Sequence, residues 1–585
     1  MKTTLFLLLL SLVTVGSFTQ NNIGINNPNP DPSAVLDVTS SSKGLLIPRM
    51  NTAQRLSIVS PANALLVFDT DNNSFWYYHA SKAGWISLNT GIGSIISDSD
   101  GNTYVTVEAA TNDDTIRFFI EGDEKFKFHA KGIEVVNNSN SLFIGEESGK
   151  NSFTSLNTGV GSRTLADNTF GSKNTAVGSL TLEHNTTGTE NTAVGALALR
   201  GNNGDRNIAL GNSAMAFNWS GSDNTAIGNK ALFSNYDGNY NIAIGSKALY
   251  DNNRSYNIGI GDSTLVNNGQ GATLDYHGTE NTAVGSRSMA MNSTGHKNTA
   301  FGFRSMYSNT TGQKNVAVGA DVMFTNSTGV NNTAIGNDAL HLNTTGYENV
   351  AGGHKALFAN STGVRNVAVG TNSLNSSSSG SYNTALGDHS LDENYTGSYN
   401  TAVGHNSGPG NGYTALENSG SFGNFANTTA SNQIRIGNSS ILSIGGYTNW
   451  TNLSDGNFKK NIHENVAGLD FILKLRPVTY NLDVSRVDEY LGNTQFIEND
   501  KTLLEARENK SNFVQSGFIA QEVEKAAREA GYDFSGVDVP KNENDLYGLR
   551  YAEFVVPMVK AMQEQQKIIE ALQDRIEILE QINTK

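Results

Sequence analysis

One phrase returns through the middle of this chain: Asn-Thr-Ala-Val-Gly, then an aliphatic residue, then an Asn and a Gly. Its leading Asn stands at 157, 174, 191, 207, 224, 241, 257, 281, 298, 315, 332, 349, 366, 383 and 400, at intervals of 17 residues with two of 16 and one of 24. A fixed period in this range makes each copy a structural unit that stacks on its neighbours. Three positions after the Asn sits a branched residue such as Val177, Ile227, Ile335 or Val369, and eight after it Leu182, Leu199, Met215 or Leu340. The apolar runs are too short for helices. They predict short strands, with Gly178-type and Gly188-type residues turning corners at positive φ and the branched residue and the Leu as the buried pair. Asn side chains are expected to stack coil on coil against turn backbone. The predicted fold class is mainly β, a parallel β-roll or β-solenoid. One coil buries too little to offset the ordering of its own backbone, so stacking and lateral association of several chains are expected.

At 585 residues the chain has room for several domains. Its 60 Gly and 16 % charged residues fit a turn-rich β protein, and the absence of Pro between Pro61 and Pro409 excludes a Pro-rich stalk. A net charge of −15 argues against nucleic acid and anionic membrane surfaces as partners. Met1 to Thr19 reads as a signal peptide: Lys2, then an apolar run from Leu5 to Val15, then small residues before Gln20. No other segment is expected to span a membrane. The exported chain has no cysteine, hence no disulfide framework.

Residues 20–92 read as an N-terminal β cap and 93–139 as a β-rich connector. The cap carries Pro-Ser-Ala-Val-Leu-Asp-Val from Pro32 and Gly-Leu-Leu-Ile-Pro-Arg-Met from Gly44. It resembles the opening of exported Bacteroidetes-type repeat proteins, which implies secretion from a Gram-negative cell rather than a ligand. Trp76, Tyr77, Tyr78 and Trp85 read as hairpin core, with a sugar-stacking platform as the alternative. Asp98, Asp100 and Asn102 alternate as calcium ligands do, with Asp113 and Asp114 as further candidates. The loop lacks the Gly and Glu of a calcium motif, which favours an ordinary Asp/Asn/Gly turn. The repeat is expected over 140–416, starting from a degenerate copy at Ser141. Its long interval inserts a loop within 264–277, a natural place for binding or for a tolerated insertion. Residues 417–453 are expected to add strands at Gln433 to Ile436 and Ile441 to Ile444. The Asn-x-Ala-Ile/Val-Gly coils resemble the heads of trimeric autotransporter adhesins, a family whose period is usually shorter, which implies a parallel β-roll in a homotrimer.

Past residue 453 an ordered set appears: Ser454-Asp455-Gly-Asn457-Phe-Lys459-Lys460, then LDFILKLRPVTYNLD, then Gly517-Phe-Ile-Ala-Gln521-Glu522-Val523, then Tyr551-Ala-Glu553 and a heptad helix. It closely resembles the endosialidase-type intramolecular chaperone domain of phage tail spikes and fibres. The resemblance implies a domain over 454–550 that trimerises, guides folding of the stem before it and cuts itself off. It also implies a Ser454–Lys459 catalytic dyad and a cut at Leu453–Ser454, a single-turnover autoproteolysis without cofactor or metal. Ser needs a base, and a Lys serves as one only when burial or a neighbouring cation lowers its pKa; Lys460 is adjacent. Asp455, Gln521 and Glu522 are supporting candidates. The family usually has Arg where this chain has Asn457. In the last segment, 551–585, Val555, Met558, Met562, Gln565, Ile569, Leu572, Ile576, Leu579 and Asn583 alternate at spacings of 3 and 4, a coiled-coil seam.

The expectation is an exported trimeric fibre, a surface adhesin or structural filament with a glycan or protein ligand. The alternatives are a glycan-degrading spike, which needs paired carboxylates, and a passive spacer.

Overall fold

The computed structural model describes residues 22–82, 84–88, 96–107, 115–136, 139–410, 412–494 and 500–584. The signal peptide at Met1 to Thr19 and the pair Asp113, Asp114 lie outside these residues. The chain divides into two compact units, 1–137 and 138–585.

In the first unit, Ile23–Ile25 pairs in parallel with Leu36–Val38. A four-stranded sheet then joins Arg49–Met50, Leu66–Asp69, Ser74–His79 and Gly84–Ser87. The aromatic cluster belongs to that sheet's packing. Tyr78 and Trp85 meet edge to face at 5.6 Å, and the Arg55 guanidinium lies 3.8 Å from the Trp76 ring centre. Arg55 is itself buried and pairs with buried Asp69 at 2.8 Å. Burial alone would raise the Asp69 pKa, but hydrogen bonds from Arg55, Thr52 and the Asn72 and Asp71 amides outweigh it and hold the carboxyl well below the usual range.

A five-stranded antiparallel meander follows, from Ile96–Ser97 to Gly132–Val135. The Asp98 to Asn102 stretch is the turn between its first two strands. Asp98 Oδ1 accepts from the Gly101 and Thr103 amides at 3.0 and 3.2 Å, and Asp100 Oδ1 from the Asn102 amide at 3.3 Å. These carboxylate oxygens serve the turn backbone.

The second unit begins with the solenoid, an 18-stranded parallel sheet running from Leu142–Ile144 to Ile434–Ile436. Identical repeat positions pair in register, Ala176 beside Ala193 and Val177 beside Val194. The sheet does not stop near 416. Gly420–Phe422 and Ile434–Ile436 continue it, with Ser419 in the Asn position, its Oγ donating to Asn400 Oδ1 at 2.7 Å. The strand expected at Ile441 to Ile444 does not form; that segment has no regular structure and its apolar residues are exposed.

The coil 174–190 shows the internal design, and it corrects the expected core. Each strand has three residues, so one side chain points in and two point out. The inward one is Ala176, fully buried, whereas Val177 on the outer face is 36 % exposed. Alanine faces the leucine column (Leu165, Leu182, Leu199), also fully buried. The branched residue is therefore outside the single-chain core.

The corners depart from expectation too. Gly178 is left-handed at φ 132°, and a Cβ there would lie 2.7 Å from the Gly195 carbonyl carbon. Gly188 is not left-handed. Instead Leu180, Leu182 and Glu190 are, at φ 59°, 51° and 58°. L-residues in this region cost roughly 1–2 kcal/mol each, so stacking must over-determine them.

Two buried Asn columns do much of that. Asn174 accepts at Oδ1 from the Asn191 amide at 2.9 Å, and the second Asn, Asn185, donates to Asn168 Oδ1 at 2.9 Å. Both side chains also donate to the Gly188 carbonyl, at 2.9 and 3.0 Å. The 24-residue interval leaves the columns intact. Asn268 donates to the Gly278 carbonyl at 2.7 Å, so the excursion between them leaves from the Asn-x-x-Gly corner, with Leu274 and Tyr276 exposed on it.

Candidate self-processing site and its chaperone domain

After the last solenoid strand the chain runs without strand or helix to a short 3-10 turn at Gly456–Phe458. Asp455 caps that turn, its Oδ1 accepting from the Asn457 amide at 2.9 Å. The turn folds the chain back so that Lys459 Nζ donates to Ser454 Oγ at 2.9 Å. Around this pair Tyr447, Trp450, Leu453, Phe458 and Ile462 are all strongly exposed, Leu453 at 84 %. The single chain therefore leaves the candidate scissile bond uncovered, with apolar side chains on both sides of it. Lys460 is likewise exposed.

The other supporting candidates are not joined to the pair by any hydrogen bond among the described residues. Glu522, in the first turn of the helix Ala520–Glu529, is held by Arg476 through two bonds of 3.0 and 2.6 Å. The Arg476 hydrogen bond is the main reason its pKa is lowered. Gln521 beside it is exposed.

The core of the domain gathers Phe471, Val523, Ala526, Ala527, Phe534 and Phe554. The antiparallel pair Val478–Asn481 and Val514–Gly517 lies in the same region of sequence. Glu564 of the long helix Val555–Asn583 accepts from the Leu469 amide at 2.8 Å, tying that helix to the start of Leu469–Ile472. At 29 residues this helix runs about 43 Å. Its seam is uncovered: Met562, Leu572, Ile576 and Leu579 are 52–68 % exposed.

Sequence reading missed how this domain holds the end of the solenoid. Buried Thr429 donates to Asp545 Oδ1 at 2.5 Å, and Asn542 Nδ2 donates to the Thr429 carbonyl at 3.0 Å. Tyr413 donates to the Asn544 carbonyl. Ser439 donates to Asp488 at 2.6 Å, and Asn493 donates to Asn427 Oδ1 at 2.8 Å. The loop 541–545 thus supplies polar partners to the terminal coils, where the repeating Asn columns run out. Burial works to raise the Asp545 pKa, but the Thr429 hydroxyl, the Lys541 and Leu546 amides and the nearby Arg435 charge hold it below the ordinary value.

Two family models match the chain. Residues 454–532 match the one described as chaperone of endosialidase, and residues 24–104 the one described as a phage tail like trimerisation region. No curated protein matches it. The second match covers most of the segment read as a β cap and the start of the connector. The Pro32–Val38 and Gly44–Met50 phrases fall inside that match. The chain thus carries an endosialidase-type chaperone domain whose match opens on Ser454, a phage-tail-like trimerisation region within 24–104, and a parallel β-solenoid between them.

Proposed function

We propose that the chain is an exported, fibre-like surface protein of a Gram-negative bacterium that assembles as a homotrimer. Its C-terminal domain folds the stem and then cleaves once, before Ser454. The observation that carries this reading is the 2.9 Å approach of Lys459 Nζ to Ser454 Oγ, at the first residue of the chaperone match.

The chemistry balances with the residues present. Neutral Lys459 takes the Ser454 hydroxyl proton while Oγ attacks the Leu453 carbonyl carbon. The C–N bond breaks as the new C–O ester forms, and the Ser454 nitrogen takes a proton to become an amine. Water then hydrolyses the ester, leaving a Leu453 carboxylate and a free Ser454 hydroxyl. Neutral lysine requires desolvation or a cationic neighbour. Because Lys459 and Leu453 are exposed in one chain, cleavage belongs after assembly, when partner chains cover the Tyr447, Trp450 and Phe458 surface.

Trimerisation is supported along the chain as well as at its matched region. The outward strand residues Val194, Phe301, Val318, Ile335, Val369 and Leu386 are 38–52 % exposed, an apolar column that sister stems would bury. The exposed helix seam is the natural coiled coil.

The test is native and denaturing mass of the full-length protein. The expected result is a trimer whose chains resolve into a fragment beginning at Ser454, with Ser454→Ala giving an intact trimer. An uncleaved wild-type trimer refutes the cleavage reading; a monomer refutes the assembly.

An adhesin role has one specific support. Trp219 is 63 % exposed, packs edge to face on Tyr236 at 5.0 Å, and lines a shallow groove with His184, Arg200 and Asn203. Aromatic faces beside such polar groups suit sugar rings. No carboxylate lines that groove, which favours binding there over hydrolysis. A glycan array with wild type and Trp219→Ala separates an adhesin from a passive spacer.

A further inference from the structure

Near the chaperone end of the solenoid, Asp388 and His405 occupy the same position of successive coils, each directly after a left-handed corner glycine, Gly387 and Gly404. His389 follows Asp388. Among the described residues these three form the one cluster whose ligand-type atoms converge, all within 4.8 Å of one another.

Their geometry is unlike that of a hydrogen-bonded pair. His389 Nδ1 lies 3.1 Å and His405 Nε2 lies 3.4 Å from the same oxygen, Asp388 Oδ2. Yet buried His389 Nδ1 makes no hydrogen bond. Two imidazole nitrogens that flank one carboxylate oxygen without bonding to it are spaced as ligands around a common centre. With bonds of about 2.0–2.1 Å, the edge of a tetrahedral ligand set is about 3.3 Å. Both observed separations fall beside that value.

The second layer of contacts fits as well. His405 Nδ1 lies 3.2 Å from Asn424 Oδ1. An amide oxygen only accepts, so Nδ1 carries the proton and Nε2 keeps its lone pair; the Asn406 side-chain amide lies 3.2 Å from that nitrogen and gives up this contact when the ion binds. His389 Nε2 lies 3.1 Å from the Asn372 side-chain amide. Nδ1 ligation puts the ring proton on Nε2, and the Asn372 amide then turns its oxygen to it, giving up the bond that Oδ1 accepts from Asn375 at 3.1 Å.

We propose that Asp388, His389 and His405 bind one divalent transition-metal ion of the zinc type, with water in the fourth position. The donor set, two imidazoles and a carboxylate, suits zinc, nickel or copper rather than calcium or magnesium. Because its ligands come from two successive coils, the ion staples them together just before the coils that the 541–545 loop caps. It is a structural fastening, independent of the Ser454–Lys459 chemistry.

The test uses the full chain without an affinity tag, stripped with a chelator and titrated with Zn2+ by calorimetry and with Co2+ by visible absorption. The expected result is one ion per chain, the intense visible bands of tetrahedral Co2+, and a thermal midpoint raised by Zn2+. His405→Ala and Asp388→Asn should each weaken binding by on the order of a hundredfold and abolish the Zn2+-dependent shift. His341→Ala, at a histidine outside the cluster, should change neither. The three side chains are partly exposed, so these variants fold, as their circular dichroism would verify. Absence of saturable binding in wild type, or equal stoichiometry and affinity in wild type and His405→Ala, overturns the proposal.

Discussion

The second Asn column is broken once, and the break gives a measurable energy. Along most of the column an Asn donates to the Asn before it and to a glycine carbonyl, as Asn343 does to Asn326 Oδ1 at 2.7 Å and to Gly346 O at 3.0 Å. It then accepts from Asn360 at 2.8 Å. At the next coil the position is Ser377, whose shorter side chain reaches neither neighbour. Asn360 Oδ1 and Ser377 Oγ are both buried without a hydrogen-bond partner, and Asn394 Nδ2 donates to Gly397 O at 2.9 Å with no Asn before it to reach. Ser377→Asn restores three bonds: to Asn360 Oδ1, to Gly380 O and from Asn394. Each is worth about 0.5–1.5 kcal/mol net, and relieving an orphaned buried polar atom about 1–3 kcal/mol. Ordering one more side chain offsets some of this. The expected gain is about 1–3 kcal/mol. It should appear as a higher denaturant midpoint of the stem at unchanged slope, and as slower amide exchange confined to about residues 360–397. Asn326→Ser, which opens the same gap in an unbroken stretch, should cost a similar amount. If Ser377→Asn leaves midpoint and exchange unmoved while Asn326→Ser is also silent, the column does not stabilise the solenoid and the account of its stacking fails.

Other outcomes follow from the same geometry. At Gly302, φ is 131° and a Cβ would stand 2.2 Å from the Gly319 carbonyl oxygen, so Gly302→Ala should locally separate adjacent coils, at a cost of at least about 1–3 kcal/mol, read as protease sensitivity near that residue. Asp69 has its folded-state pKa depressed. Its contribution is therefore present above the ordinary carboxylate range and lost as pH falls through the folded value. Fluorescence of Trp76 and Trp85 should hold from pH 7 down to about 5 and change only in stronger acid, and Arg55→Met should move that change to higher pH. Asp545 has the same sign, so the grip of the 541–545 loop on Thr429 should survive mild acid. After cleavage, co-elution of the two fragments at about pH 5 and their separation only at lower pH would check it.

Much of the stem was legible because a repeat imposes its own pairing. When position after position recurs at 17 residues, parallel in-register stacking is the arrangement that places like beside like, as Ala176 beside Ala193 does. The Asn columns followed, since a buried amide needs partners and the next coil supplies an identical one. The Ser454 to Lys459 spacing was legible for a similar reason, because five residues around a tight turn bring a hydroxyl and an amine together locally.

What the sequence could not carry was parity and distance. Whether Ala176 or Val177 points inward depends on how the chain enters the strand, and that is set by left-handed corners at Leu180, Leu182 and Glu190, residue types that seldom adopt such angles and so gave no signal. Only the folded coil, which sets Ala176 against its leucine column and turns Val177 outward, decided it. The hold of Asp545 on Thr429, across 116 residues of chain, and the meeting of Asp388 with His405 one coil away arise from packing between segments whose local patterns are unrelated. Local periodicity determines what repeats, and tertiary structure decides which side faces in and which distant groups meet.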